Sequence, residues 1–312
     1  MRGKGFHLPV DVAVDSESLV YVLSRSCSYK EQVPRITVTS LDEQTCREIG
    51  RFGTEPGCLF EPTAMVIDGR DRIYVADEHL HTVTVFDADG TLVGRWGEHG
   101  AGPGQLDRPS GLAIDPDGDL LVVDHVNGRV QRFTVDGGYL SSFGRPGTGE
   151  GEFDLPWGVA AASGGDIWVA DWRNDRVHRF DAGGRHLGTC GVGLLLRPAG
   201  VAVAADGSVY VADWGNDCVR VLDNCGRLVE TLLGDATLSR WAEEHLDTFP
   251  SVRAMRLAAD RFEEEKRFRH PTGLTITPDG LVLVADTGRH RVQVYRRAGQ
   301  QSMSTPVTKA TS

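Results

Sequence analysis

Six residues hold the same place in a repeated motif yet span five residue types: Arg25, Glu78, His125, Trp172, Trp214 and Thr287. Each directly follows the Asp, or in the first copy the Ser, that closes a hydrophobic run. The copies read SLVYVLSR (18–25), VADEHLHTV (75–83), VVDHVNGRV (122–130), VADWRNDRV (169–177), VADWGNDCV (211–219) and VADTGRHRV (284–292). A repeat that keeps its frame and varies one position frees that position for ligand chemistry. His125 can exchange protons near neutral pH. Glu78 can orient that imidazole or act as the base itself. Arg25 can hold a carboxylate or stabilise an oxyanion. Trp172 and Trp214, joined by Trp157, suit an aromatic or cationic group. The six would give one mouth a polar half and an aromatic half, as in preformed small-molecule pockets. His125, Glu78 and Arg25 are therefore the expected catalytic residues. Trp157, Trp172, Trp214, Thr287 and Asp11 are the expected substrate contacts. A protein-binding face built from the same residues is the alternative.

The elements that must position them follow from spacing. Pro9, Pro62, Pro109, Pro156, Pro198 and Pro271 each stand fifteen residues before Ser24, Asp77, Asp124, Asp171, Asp213 and Asp286. Successive Pro residues are 53, 47, 47, 42 and 73 residues apart, so each unit has a fixed core with insertions elsewhere. Within a unit, GLAID (111–115) alternates, PDGD (116–119) turns and LLVVD (120–124) is a buried run. RVQRFTV (129–135) alternates again, DGG (136–138) turns, and YLSSFG (139–144) completes a fourth strand. Four strands per unit with no helix between units predict an all-β fold, a six-bladed β-propeller of four-stranded antiparallel blades. The repeated Asp is expected to tie the loops by accepting backbone N–H bonds.

Direction follows as well. If the first strand of each blade descends, the second ends at the Asp on the top face, and both bottom turns are short. All length variation then lies on top. The largest addition, DATLSRWAEEHLDTFPSVRAMRLAADRFEEEKRF (235–268), has Leu238, Trp241, Ala242 and His245 at helical spacing, then Val252, Met255, Ala259 and Phe262. It predicts a helical insertion between blades five and six, lying over the Trp side of the mouth. Arg253 and Arg256 would face the pocket and hold an anionic group. A stripe packed on the outer rim is the other outcome. The expected domain is one propeller over 1–298, with a tail at 299–312.

Composition narrows the partners. The chain has 312 residues, 38 Gly and a formal charge of −11 with acids and bases interspersed. That disfavours nucleic acid and anionic membrane. The expected partner is a small organic molecule, aromatic or cationic and carrying an anionic group. Neither a membrane-length apolar stretch nor a signal-peptide pattern at the N-terminus is present, which predicts a cytoplasmic location. Six Cys without a CxxC predict reduced thiols and no zinc spacing.

The segments LPWGVAAASGGDIWVADWRNDRVHRF (155–180) and RPAGVAVAADGSVYVADWGNDCVRVL (197–222) resemble the NHL-repeat family, and the pattern covers about residues 6–297. The resemblance implies the propeller and leaves function open. SLVYVLSR (18–25) and LPVDVAV (8–14) also resemble blades of the peptidyl-hydroxyglycine amidating lyases. Arg25 falls at that family's active-site Arg, and Asp11 stands where the pattern has Gly. That family's zinc is held by His in the Pro-x-Gly slot. The slot here holds Val10, Thr63, Ser110, Trp157, Ala199 and Thr272, so no three-histidine zinc centre is expected. A gluconolactonase-like resemblance implies a divalent metal with Glu61, Asp11 and Glu78 as carboxylates. A strictosidine-synthase-like one implies a condensation or cyclisation driven by Glu78. Similarity to streptogramin lyases implies elimination by a His. The expected chemistry is of lyase, cyclase or hydrolase type, without cofactor or with a single divalent metal such as Ca²⁺.

Overall fold

The computed structural model describes residues 6–25, 34–42, 46–236, 247–248, 251 and 262–296. Five antiparallel sheets of four strands and one of three form six blades in chain order. Blade four is representative: Pro156–Ala161, Ile167–Asp171, Arg176–Phe180 and His186–Cys190 run from the axis outward. The second strand of every blade is buried along its length, apart from Leu281 at the start of the one in blade six. It is packed between its own sheet and the neighbouring blades. This is why those runs are continuously apolar rather than alternating.

The fixed distance from Pro to Asp has a direct cause. The two residues are cross-strand partners at the upper end of each blade: Pro62 with Asp77, Pro109 with Asp124, Pro156 with Asp171, Pro198 with Asp213 and Pro271 with Asp286. Pro9 pairs with Ser24 in the same way. A bulge follows the Pro in every blade, and the missing Pro N–H costs no ladder bond there. The lower turn uses Asp instead. In blade three, Asp115 accepts N–H bonds from Asp117 and Asp119, both at 3.0 Å, and Gly118 takes φ +85.

Apolar side chains of adjacent blades interlock, as where Leu112, Leu120 and Phe133 of blade three meet Tyr74, Ala76 and Val83 of blade two. The ring closes by the same packing: Leu283 of blade six is buried with Val12, Val20 and Val22 of blade one. Three links reinforce that junction. Thr287 Oγ1 donates to the Pro9 carbonyl at 2.6 Å, Thr272 Oγ1 to the Val10 carbonyl at 2.8 Å, and the Leu8 N–H to His290 Nδ1 at 3.1 Å. Blade six shows three strands, Pro271–Ile276, Leu281–Asp286 and Arg291–Arg296, among the described residues.

The two ends of the insertion meet beside blade six. Ala236 N–H donates to the Lys266 carbonyl at 3.2 Å, and Phe268 N–H to that of Leu233 at 2.9 Å. A short helix, Phe262–Lys266, leads into the blade, and Arg291 holds the carbonyls of Lys266 and Arg267. The Asp286 end of the blade is thus where the insertion departs and returns. Arg253, Arg256 and most of the expected cover lie outside the described residues.

Candidate functional site

Each repeated Asp is fully buried and gathers the top of its blade. Asp171 accepts the Asp154 N–H at 2.7 Å, Asn174 Nδ2 at 2.8 Å and Arg176 Nε at 2.9 Å. Asp124 does the same with Asp107, Asn127 and Arg129. The carboxylate is therefore a structural brace, as the sequence implied. After it the chain makes a tight turn, such as Trp172–Asn174 or Trp214–Asn216, and ends it in a left-handed residue. That residue reaches the next blade. His81 Nδ1 accepts the Arg108 N–H at 3.1 Å, Asp175 that of Arg197 at 2.7 Å and Asp217 that of His270 at 2.7 Å. The residue after each Asp starts a turn pinned at both ends, which fixes where its side chain begins.

The polar half comes together across blades one to three. Arg25 forms an ion pair with Glu78 and lies 3.6 Å from Glu61. His125, 8% exposed, places Nδ1 2.9 Å from the Pro156 carbonyl. A carbonyl only accepts, so Nδ1 carries the proton and Nε2 keeps a lone pair in the neutral ring. Burial holds His125 below its ordinary value, although the Pro156 bond and the charge of Glu78 pull the other way. Glu78 does not bond His125 among the described residues; it bonds Arg25. The orienting partner of the imidazole is a backbone carbonyl, a correction that residue types alone could not supply.

The aromatic half is a continuous wall. His125 meets Trp157 edge-on at 5.1 Å, Trp157 meets Trp172 at 5.8 Å, and Trp172 meets Trp214 at 6.2 Å. Trp214 then stacks on His270 at 4.3 Å. Arg197 lies over Trp172 at 5.5 Å and Trp214 at 5.9 Å. Thr287 is a different matter. Its hydroxyl is 2.7 Å from that of Thr272 and serves the junction with blade one.

Below the mouth lies a cavity of about 330 Å³, lined by the six inner strands. Trp157 and Thr272 belong to its wall and also touch the ring above, at Trp172 and Thr287. Arg25, Glu78, His125, Trp172 and Trp214 are not in that wall. Asp11 is, accepting the N–H bonds of Val12 at 2.9 Å and Met65 at 2.8 Å. Burial pushes its carboxyl up to about 7, against those two bonds. A Cβ on Gly273 would lie 2.1 Å from Asp11 Oδ1, so the glycine of blade six makes room for the acid of blade one.

The sequence offered Glu61 as a carboxylate without marking the residue that precedes each Pro as a ring of its own. Leu8, Arg108, Leu155, Arg197 and His270 all take left-handed φ between 43° and 54°. Glu61 occupies the same slot. This second ring supplies Glu61 to Arg25, Arg197 to two Trp rings and His270 to Trp214. The repeat frame that exposed the first variable position would have exposed this one too. Among the described residues, His81, His99 and Asp107 bring ligand atoms within 4.8 Å of one another. The Nδ1 of His81 is already occupied by Arg108 N–H. His81 is thereby a strap between blades two and three. No helix among the described residues is long and apolar enough to cross a membrane.

The sequence profile of the NHL repeat matches residues 106–133, 153–180, 195–222 and 268–295, which are the cores of blades three to six. No curated protein matches the chain in sequence. Among solved structures, a catalytically inactive virginiamycin B lyase from Staphylococcus aureus with quinupristin is 12% identical. It has a TM-score of 0.61 and covers 96% of this chain and 87% of that one. A streptogramin B lyase is 13% identical, with a TM-score of 0.58 over 92% and 93%. A chain of a nidogen/laminin complex is 21% identical, with a TM-score of 0.56 over 72% and 79%. Identities this low speak to fold alone. The chain is a six-bladed β-propeller that carries NHL repeats.

Proposed function

We propose that the top mouth is the active site of a small-molecule enzyme of lyase, cyclase or hydrolase type, with His125 as its base. One observation carries the reading. The Pro156 carbonyl fixes the tautomer of a buried, neutral imidazole, and Nε2 is left to act beside an aromatic wall and above a cavity. In this reading Nε2 removes a proton from the substrate or from water. The freed electron pair then expels a leaving group, closes a ring, or attacks a carbonyl. The Trp wall seats an apolar part of the substrate. Arg25, with Glu78 and Glu61, sets the charge on the opposite side. The step needs no cofactor, and a divalent ion in the channel is compatible with it. Two of the fold neighbours described above are lyases, which agrees with the first of the three chemistries.

The nidogen/laminin neighbour supports a second reading, a non-catalytic interaction propeller. One experiment separates them. The full chain is incubated with a library of aromatic esters, lactones and cyclic peptides, and products are followed by mass spectrometry. Products whose atoms sum to the substrate indicate a lyase or cyclase, and a gain of one water a hydrolase. Turnover that is lost in His125→Ala supports the site. Turnover unaffected by that change removes His125 from the chemistry, and binding without any turnover favours the interaction reading.

A further inference from the structure

We propose that Arg197 is the anion anchor of the mouth, and that the ligand is an aromatic molecule carrying an oxyanion group such as a carboxylate. The inference rests on the small-molecule reading above and narrows it. Two Trp faces beside each other ordinarily suit a cationic ligand. Here that place is taken by the protein's own cation, since the guanidinium of Arg197 lies over both Trp172 and Trp214. An incoming ammonium would have to displace it and would be repelled by it.

The same guanidinium is unspent. Arg129, Arg176, Arg220 and Arg291 each bond the buried Asp of their own blade, and Arg25 bonds Glu78. The side chain of Arg197 has no ion pair or hydrogen bond to the described residues, although the chain has 44 acids against 33 bases. Its five donors are therefore open to a ligand. The group is also aimed. The Arg197 N–H is held by Asp175 at 2.7 Å, its φ is 51°, and Pro198 follows. The side chain leaves from a backbone pinned on both sides, and its guanidinium then lies over two rings, so less freedom remains to be lost on binding. A planar fork placed this way recognises a carboxylate through two parallel bonds while the ligand ring lies against the Trp wall. The anionic part of the ligand is thus held from the wall itself, at blade five.

The test is calorimetric titration of the full chain with three probes of one shape: 2-naphthoate, the neutral 2-naphthamide and a naphthyl trimethylammonium. The wild type is expected to bind naphthoate tightest and the ammonium weakest. Arg197→Gln should weaken naphthoate about tenfold or more, the size of a lost hydrogen bond to a charged group, and leave naphthamide unchanged. Arg197→Lys should restore part of the loss, because charge remains without the fork. Equal binding of naphthoate and naphthamide by the wild type overturns the proposal, as does an unchanged preference in Arg197→Gln. If naphthamide binding depends on Trp214 but shows no charge preference, only the anchor fails. If no probe binds and Trp214→Ala changes nothing, the small-molecule reading falls with it.

Discussion

Blade four and blade one hold the same pair of strands at the mouth by different means. In blade four, Asp171 gathers Asp154, Asn174 and Arg176, and His178 Nε2 stands 3.4 Å away, all within the blade or its own entry loop. In blade one, Ser24 fills that slot. It is 1% exposed, and its hydroxyl finds no partner among the described residues. The end of its strand is held instead by the Arg25 N–H on the Leu8 carbonyl and by the Arg25 side chain on Glu78 of blade two. Glu78, His125 and the aromatic half of the mouth therefore stand on self-braced blades, and Arg25 on a contact between blades. Bracing by an interior acid fixes position; bracing by a partly exposed ion pair leaves charge at the mouth.

The largest test of this contrast is Asp171→Ala. It removes the acceptor from a partly buried Arg, an amide and a backbone N–H, and should cost about 3–5 kcal/mol. Denaturant unfolding measures it. A loss below about 1 kcal/mol would mean that blade four is no better braced than blade one.

His125→Ala comes next. Once a substrate is in hand, turnover should fall about 10²-fold or more, as for a general base. The pH profile sharpens this. The imidazole is active when neutral, so the rate should rise with pH and level off below the ordinary histidine value of 6.5. Stability has the same sign. The unfolded ring binds a proton more readily than the folded one, so this contribution is present above 6.5 and is lost as pH falls through the lowered folded value. A profile with its limb above 6.5 would point to another base.

Asp11 tests the floor between the two halves. Its folded value is about 7 against an ordinary 3.8, so its contribution is present below the lower figure and lost as pH rises through the higher one. The loss should be on the order of a few kcal/mol. Stability measured across that window should slope for the wild type and be flatter for Asp11→Asn. Parallel slopes would show that the carboxyl ionises without cost.

The smallest effect is expected at Ser24→Ala. An unpartnered buried hydroxyl contributes little, so stability should stay within about 1 kcal/mol. A larger loss would reveal a bond that Ser24 makes and would erase the contrast with blade four.

Period and punctuation determined the architecture from sequence. Six Pro residues at a fixed distance from Asp or Ser declared six units, because a Pro and an Asp that pair across two strands cannot drift apart without breaking the ladder. Alternation gave the strands, and counting directions placed Arg25, Glu78, His125, Trp172 and Trp214 at one end of the blades. Contact across blades belonged to the tertiary structure alone. Arg25 pairs with Glu78, Pro156 orients His125, and Thr287 closes the ring with Pro9, because inter-blade packing brings residues 31 to 278 positions apart into bonding range. Where the residues before the Pro reach was hidden for a further reason. A left-handed φ turns the side chain off the two-residue period of a strand, so Arg197 and His270 reach the Trp wall from a place that alternation does not predict.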